Sequence, residues 1–330
     1  MPNVLILTSD VGEDPCVVSV CSALRAAGSE PLVVATRKFP AGVPIAFEPH
    51  GESSVASIAG VRAGDLRSVW IREMEPTMPD QLPPDQTTAG ELQAVATLWS
   101  FLECLDVFQL DPPESLLSAC HKPYQERLAR RFGLDVPRSL VTNDPASLRS
   151  FARTCPGQIV CKLVESGSVG VRTKNGQKSF PTTLVTEEEL ADPVGLEMSP
   201  MIFQEYLPKA LELRITVVGP EVFVAAIAPG DTVDWRTSLE LVRGFRPYTE
   251  LPTGVRRGLL ALLDHLRLNF ATADFVVTPD GRHVFLEINT ISWFDHVERH
   301  AGLPISQAVA ELLLGTLPPR VVDRPHGAGA

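Results

Sequence analysis

The stretch from Ala271 to Asn289, ATADFVVTPDGRHVFLEIN, constrains the fold most, because a Pro-Asp-Gly turn separates two apolar runs. This pattern predicts a β-hairpin. If Asp280 and Gly281 form a two-residue loop, Asp274 and Glu287 lie directly opposite each other on neighbouring strands. Directly opposed like charges destabilise a sheet by up to about 1 kcal/mol, so we expect a positive group between them.

A third oxygen donor lies on the same face of the predicted hairpin. Asn289 follows Glu287 by two residues, and side chains alternate between the faces of a strand. Oxygens of this kind suit Mg²⁺, so the sequence predicts a magnesium site formed by Asp274, Glu287 and Asn289. Two alternatives stay open: each acid pairs with an arginine or faces solvent, or a longer loop shifts the opposition by one residue.

The start of the chain predicts a β-α-β unit and hence an α/β protein. VLILT at residues 4–8 and PLVVA at residues 31–35 resemble strands, with a helical stretch ending at Gly28 between them. No GxGxxG motif follows the first strand, which argues against a dinucleotide site. Later, RSVWIRE predicts a strand that places Trp70 and Arg72 on one face, and apolar spacing predicts a core helix from Glu91 to Asp106.

Length and charge exclude some classes of protein. The chain has 330 residues, which favours several lobes over one core, and its net charge of −11 argues against nucleic-acid binding. No apolar run approaches the roughly 20 residues that span a bilayer, and the first residues lack the features of a signal peptide. We therefore expect a cytoplasmic protein that contacts neither nucleic acid nor membrane.

Two lysines occupy positions that suit an anion. Lys122 precedes Pro123 at a predicted helix start, where the helix dipole favours negative charge, and Lys162 lies in the apolar strand QIVCKLV. The Gly- and Ser-containing stretch from Ser166 to Lys178 has the composition of a loop over a phosphate, although it does not match the P-loop pattern.

Taken together, these segments resemble an ATP-grasp ligase. Within that superfamily the chain is similar to the graspetide (microviridin-type) peptide maturases over nearly its whole length. The resemblance rests on the following segments: SVWIRE, RSLVTNDP, FQEYLPKALELRITVVG with Glu212 and Arg214, Asp234-Trp235-Arg236, and FLEIN with Glu287 and Asn289.

The resemblance implies a role for each matching residue. Lys122 and Lys162 would hold the nucleotide phosphates, and the linker of Gln204, Glu205, Tyr206 and Leu207 would contact adenine, with Glu205 or a neighbour near the sugar. Glu212 would lie beside the nucleotide, and Arg214 would face the transferred phosphoryl group. Asp274, Glu287 and Asn289 would hold Mg²⁺. Arg236 would hold the acceptor carboxylate, and Asp234 would position it or accept a proton. Trp70 and Arg72 would contact substrate, and the loop from Ser166 to Lys178 would act as a lid.

The implied function is ATP-dependent macrocyclisation of a ribosomal precursor peptide that has a leader and an Asp/Glu-rich core. Side-chain carboxylates would be activated as acyl phosphates and joined to Ser/Thr hydroxyls or Lys amines. The alternative enzyme is an ATP-grasp ligase that acts on a small molecule or adds a free amino acid. A nucleotide-binding regulator that has lost the chemistry is a third hypothesis, against which the intact set of charged residues argues. The resemblance leaves a homodimer open.

The resemblance also implies a division of the chain. We expect a pre-ATP-grasp domain at residues 1–113, a central subdomain at residues 114–200, a C-terminal subdomain at residues 201–318 and a flexible tail at residues 319–330.

Overall fold

The computed structural model describes residues 3–49, 56–78, 83–164, 171–173, 176–178 and 181–321. It is an α/β protein, as predicted, and its strands form three larger sheets and two small ones. None of the helices in these ranges combines the length and the apolar character needed to cross a bilayer.

The first lobe contains the predicted β-α-β start. Its elements are β1 (Val4–Thr8), α1 (Pro15–Ala26), β2 (Leu32–Ala35), β3 (Ile45–Ala46), β4 (Ser57–Ile58), β5 (Val61–Arg62), β6 (Ser68–Ile71), α2 (Pro84–Glu103), β7 (Phe108–Leu110) and α3 (Pro113–Ala119). Four parallel strands form a sheet in the order β2-β1-β6-β7, and β3, β4 and β5 form a small antiparallel sheet.

The prediction for the long helix of this lobe was wrong at its start. Helix α2 begins at Pro84 rather than Glu91 and ends at Glu103. Proline is well tolerated in the first turn of a helix, where its missing N–H would have no partner in any case. The proline-rich stretch therefore begins the helix as well as leading into it.

The central lobe is an antiparallel sheet with strand order β12-β9-β13-β8. Its elements are β8 (Ser139–Thr142), α5 (Pro145–Thr154), β9 (Ile159–Lys162), β12 (Thr183–Leu184), α6 (Glu187–Ala191) and β13 (Met201–Glu205), with the separate hairpin β10 (Val171–Thr173) and β11 (Gly176–Lys178). Helix α4 (Lys122–Arg131) precedes them.

The C-terminal lobe is a five-stranded antiparallel sheet with the order β16-β15-β14-β17-β18. Its elements are β14 (Leu211–Val218), β15 (Glu221–Ile227), α7 (Leu239–Arg243), β16 (Arg246–Pro247), α8 (Thr253–His265), β17 (Phe270–Val277), β18 (His283–Asn289), α9 (Asp295–Ala301) and α10 (Ile305–Leu314). The predicted hairpin at the end of this sheet is β17-β18.

The structure moves the expected domain boundaries. Strand β13 pairs with β8 and β9, so the central lobe extends to Glu205 and not to residue 200. Helix α4 packs on β18 instead, because the buried Gln125 side chain donates to the Ile288 carbonyl (3.0 Å) and accepts from its N–H (2.9 Å). The expected tail at residue 319 also starts too early, since the N–H groups of Arg320 and Val321 donate to Asn269 Oδ1. Residues 322–330 lie outside the described ranges.

The first and C-terminal lobes pack into one body. Helix α1 packs on α10, and apolar residues of both lobes share buried clusters. The Asp111 carboxylate accepts the backbone N–H groups of Asn269 and Phe270 at 2.8 and 2.9 Å, at the start of β17. This packing leaves a cleft between the central sheet and the C-terminal sheet.

Close packing between α8 and the end of α4 gives a first prediction. A Cβ atom on Gly258 would lie 2.8 Å from Leu134 Cδ2 and 2.9 Å from the Phe132 carbonyl oxygen. We expect Gly258→Ala to lower the free energy of unfolding by about 1–3 kcal/mol, because the backbone must move. The matched control is Gly254→Ala in the same helix, where a Cβ meets open space. Equal urea midpoints for the two variants would contradict this packing.

Candidate active site

The predicted pair of facing carboxylates is present. Asp274 on β17 lies directly opposite Glu287 on β18, and both side chains are buried. Both residues line the cleft between the central and C-terminal sheets. The two acids therefore stand together at its floor.

The register near the turn differs from the prediction, although the opposition is correct. Thr278 N–H donates to the Arg282 carbonyl at 2.9 Å, so the loop contains Pro279–Gly281 rather than two residues. The longer loop alone would shift the partner of Asp274 by one residue. A β-bulge after Asp274 adds one residue on β18 and restores the opposition.

A buried arginine holds the first acid. Arg214 is the register partner of Asp274 on β14, and its Nη1 donates to both carboxylate oxygens at 2.7 and 2.9 Å. Its Nη2 donates to Ser292 Oγ at 2.5 Å, and the guanidinium lies 5.5 Å from the Trp235 ring centre. The sequence left pairing with an arginine open for both acids, and Asp274 has such a partner in Arg214.

The second acid is surrounded by positive charge. Lys122 Nζ lies 3.1 Å from Glu287 Oε2, Arg236 Nη1 lies 3.7 Å from Oε1, and Asn289 Nδ2 donates to Oε1 at 3.2 Å. Burial by itself would raise the pKa of Glu287. The charges of Lys122, Lys162 and Arg236 outweigh burial and hold this pKa well below its ordinary range.

Lys162 differs from the other cations of the cleft. Its side chain on β9 is buried, and within the described part of the chain it has no ion-pair partner within 4 Å. Burial lowers its pKa, and the Glu287 carboxylate restores this pKa only in part. A buried cation without a partner is costly, so the position calls for a bound anion.

The residues of the acid pair fit a divalent cation by their chemistry. Two carboxylates and an amide, from Asp274, Glu287 and Asn289, are the hard oxygen donors that Mg²⁺ prefers. Glu212 adds a buried Oε1 atom that has no hydrogen-bond partner in the described residues. The described part of the chain contains no group of three or more His, Cys, Asp or Glu side chains placed to hold a metal ion. The fit therefore rests on the facing pair and the amide.

The cleft between the two sheets is partly open to solvent. Besides the acid pair, the predicted site residues that line it are Lys162, Gln204, Glu205, Tyr206, Leu207, Glu212, Asp234 and Arg236. Lys122, Arg214 and Asn289 contact its floor through the acids. The fold thus brings thirteen predicted residues to this cleft: these eight, the acid pair and the three contacting residues. All of them lie between Lys122 and Asn289.

The side chains of the linker are already used within the central lobe. Gln204 Nε2 donates to Ser139 Oγ at 2.8 Å, and Glu205 Oε1 accepts the Arg138 N–H at 3.0 Å. Both side chains therefore already have hydrogen-bond partners, and we expect a ligand to contact the linker mainly through its backbone. The placement of Glu205 or a neighbour near the sugar stays a prediction.

The Asp234-Trp235-Arg236 turn places a guanidinium at the side of the cleft. Asp234 accepts from the Arg236 backbone N–H (3.1 Å), Nε (2.8 Å) and Nη2 (3.0 Å). Burial would raise the pKa of Asp234, but these contacts outweigh it and lower the pKa. Arg236 stays 48% exposed while Asp234 is buried, so the carboxylate orients the guanidinium toward the opening.

Sequence reasoning missed two residues of the site. Lys209 Nζ lies 3.0 Å from Glu212 Oε2 and donates to the Val233 carbonyl at 2.6 Å, which joins the linker to the neighbouring turn. Trp235 packs against Arg214 and, edge-on, against Phe245. The spacing of Lys209 three residues before Glu212 was the available signal, but a loop has no periodicity that assigns a face.

Two predicted substrate residues lie elsewhere. Trp70 is 2% exposed and packs in the apolar core of the first lobe, and Arg72 is 1% exposed and bonds Asp14 Oδ2 through Nε at 2.6 Å. Arg72 directly follows the end of β6, and both side chains lie on the side of the sheet that faces α1, which agrees with the predicted shared face. Neither side chain exposes enough surface for a substrate to contact it.

A structural role for Arg72 gives the second prediction. We expect Arg72→Met to lower the free energy of unfolding by about 3–5 kcal/mol, because the buried Asp14 carboxylate loses its counter-charge. The control Arg25→Met breaks the exposed pair with Glu30 and should leave the unfolding midpoint nearly unchanged. An unchanged midpoint in Arg72→Met, with substrate affinity lost, would restore the substrate role.

The predicted lid falls largely outside the described residues. Residues 165–170, 174–175 and 179–180 are not described, and between them the backbone forms the hairpin β10-β11.

The fold and this cleft together define the ATP-grasp class of ligases, and comparison with known proteins narrows the class. Residues 3–116 match the family described as the MvdD pre-ATP grasp domain. The chain is 32% identical to the macrocyclase MdnC of Microcystis aeruginosa, whose crystal structure was determined with the precursor peptide MdnA. The alignment covers 95% of this chain and 99% of that one, with a TM-score of 0.85. The chain belongs to the graspetide-type ATP-grasp ligases.

Two further relatives agree with the fold. A RiPP-associated ATP-grasp ligase from Chryseobacterium gregarium, solved in complex with ADP and a leader and core peptide, has a TM-score of 0.83 at 24% identity. That alignment covers 98% of this chain and 99% of the other. A probable alpha-L-glutamate ligase of Shewanella is 23% identical over 226 residues, covering 68% of this chain and 72% of its own length.

Proposed function

We propose that the protein is an ATP-dependent macrocyclase of a ribosomal precursor peptide with an Asp/Glu-rich core. It joins Asp or Glu side-chain carboxylates to Ser/Thr hydroxyls or Lys amines. The observation that carries the proposal is the buried Lys162, which has no ion-pair partner within the described residues, next to the facing acids Asp274 and Glu287. The precursor peptides and ADP in the structures of MdnC and the Chryseobacterium ligase support a peptide substrate and a nucleotide.

In this proposal the cleft binds ATP between the two sheets. Lys122 and Lys162 hold phosphate oxygens as point charges, and the backbone of the linker Gln204–Leu207 contacts adenine. The unpartnered Oε1 of Glu212 accepts a hydroxyl of the nucleotide, and burial keeps its pKa above the ordinary value against the effect of Lys209. Lys162 and Glu212 Oε1 then gain the partners that they lack within the described residues.

Asp274, Glu287 and Asn289 would hold Mg²⁺. The bound ion supplies positive charge that neutralises phosphate oxygens. Lys122 and Arg214, which contact the two acids, hold them in place. Arg214 then also faces the phosphoryl group that is transferred.

The half-exposed Arg236 holds the reacting carboxylate of the peptide. A guanidinium can bind a carboxylate through two parallel hydrogen bonds, which fixes its orientation. Asp234 orients this guanidinium, and its lowered pKa makes it a weak proton acceptor. We therefore assign Asp234 to positioning rather than to general-base catalysis.

The reaction has two steps. An oxygen of the peptide carboxylate bonds to the γ-phosphorus of ATP as the bond to ADP breaks, which requires cations around the phosphoryl oxygens and an in-line approach. A hydroxyl or amine then attacks the acyl carbon of the mixed anhydride. Phosphate leaves, the attacking group loses a proton, and an ester or amide ring remains.

The experiment is a mass spectrum of Asp/Glu-rich peptides encoded beside this gene, after incubation with the full protein, Mg²⁺ and ATP. We expect each ring to remove one whole water mass, and no change without ATP. An unchanged peptide with ATP present would contradict the proposal.

A second candidate is the addition of a free amino acid, which the similarity to a probable alpha-L-glutamate ligase favours. It keeps the nucleotide residues and changes only the acceptor. The same experiment with free glutamate added separates the two candidates, because addition raises the mass of the product and ring closure lowers it.

A further inference from the structure

The segment that follows β18 alternates in exposure. Ser292 and Phe294 are 2% and 0% exposed, whereas Ile291 and Trp293 are 36% and 50% exposed. Buried and exposed side chains therefore alternate along this bent segment, which belongs to no strand. We call Ile291 and Trp293 the apolar rim.

Both buried residues of the segment are anchored. Ser292 Oγ accepts a hydrogen bond from Arg214, which also binds Asp274 at the floor of the cleft. The backbone N–H of Phe294 donates to Cys16 Sγ at 3.2 Å, in the first turn of α1. The apolar rim therefore lies on a segment fixed at one end to the acid pair and at the other to the first lobe.

The anchor in the first lobe lies at an edge where α/β proteins bind ligands. Strands β2 and β6 lie on opposite sides of β1, so the strand order reverses beside β1. Crevices at the carboxyl ends of strands at such a point are common binding places. The connection from β1 to α1 also exposes Val11, at 55%.

We propose that the apolar rim binds the peptide substrate, by contacting an apolar side chain beside the carboxylate that reacts. This inference rests on the proposed function. The occupant must reach Arg236 and the acid pair, and the Arg214–Ser292 contact joins the rim to that floor. A bulky aromatic side chain that stands half in water gains most from being covered, and tryptophan is enriched at the centres of binding interfaces. In this proposal the charged cleft binds the reacting carboxylate of the peptide, and the apolar rim binds the apolar side chain next to it.

The test uses the peptide that the wild-type enzyme dehydrates. We expect Trp293→Ala to raise the KM for that peptide by about tenfold and Ile291→Ala by a smaller factor, since apolar area on the peptide loses its cover. The maximal rate and the KM for ATP should change less than about twofold, because neither side chain contacts the cleft floor. The matched controls are Val194→Ala and Met198→Ala, which remove side chains that are 88% exposed in the central lobe, and they should change none of these values.

A second peptide makes the test specific. In this second peptide the apolar side chains are replaced with serine, which should raise the KM of the wild-type enzyme. The KM of the Trp293→Ala variant for this peptide should be only slightly higher than that of the wild type, because the contact is already lost and the two effects are not additive. The parent peptide should also protect Trp293 fluorescence from acrylamide. Unchanged peptide KM in both rim variants, with normal processing by the wild type, would overturn the inference and leave the proposed function standing. If the wild type processes no peptide, both fail.

Discussion

Glu287→Gln is expected to lower peptide dehydration by at least about 100-fold, because it removes the charge on which the site converges. Glu287 faces Asp274 and lies near Lys122, Lys162 and Arg236. Loss of this charge removes a candidate metal ligand and leaves the buried cations without compensation. The measurement is the initial rate of water loss by mass spectrometry at saturating ATP.

The control for this variant lies in the same hairpin. Asp280→Asn removes a carboxylate from the exposed turn, where it pairs with Arg282, and should leave the rate unchanged. A rate within twofold of wild type for Glu287→Gln would show that the acid pair does not serve the reaction.

The same variant predicts a change in the pH dependence of stability. The pKa of Glu287 lies below its ordinary value near 4.5, so its stabilising contribution is complete above that pH and is lost as the pH falls toward the folded-state pKa. We expect the stability difference between wild type and Glu287→Gln to shrink between neutral pH and about pH 3. A constant difference over this range would contradict the assigned ion pairs.

Arg236→Ala is expected to abolish coupling while the affinity for ATP changes less than about threefold. Arg236 is half exposed at the side of the cleft, where it pairs with Asp234 and lies 3.7 Å from Glu287. Removing the guanidinium should lower the rate with peptide by about 100- to 1,000-fold, as loss of a positioning charge in an active site commonly does. Isothermal titration calorimetry with ATP tests the expected affinity, and the rate of peptide dehydration tests the expected loss of coupling.

A matched control removes an exposed arginine nearby. Arg243→Ala in α7 lies outside the cleft lining and should leave both measurements unchanged. Loss of ATP affinity in Arg236→Ala, with coupling retained, would place this residue on the nucleotide instead of the peptide.

The facing acids were predictable because the turn of a hairpin determines which residues of its two strands lie opposite each other. The route to them was partly wrong, since the turn is longer than assumed and a bulge after Asp274 compensates. The position of a bulge depends on packing between neighbouring strands, so the sequence of one strand does not predict it. The correct pair followed from two local errors that cancel.

Other features depend on contacts that periodicity does not reveal. Gln125 is polar yet fully buried, because it bonds both backbone groups of Ile288, and this contact assigns α4 to the C-terminal lobe. The resemblance implied that Arg72 contacts substrate, but Asp14, next to the start of α1, pairs with it inside the protein. Long-range pairs of this kind decide burial, and local pattern gives no sign of them.

In the proposed reaction, this cleft activates a carboxylate of the peptide by phosphorylation. To test this step, the Asp and Glu carboxylates of the substrate peptide are labelled with heavy oxygen, and the phosphate released during one turnover is analysed. We expect one heavy oxygen atom in the phosphate for each ring formed, because the acyl carbon gives up its oxygen as phosphate leaves. Unlabelled phosphate, together with a dehydrated peptide, would contradict it.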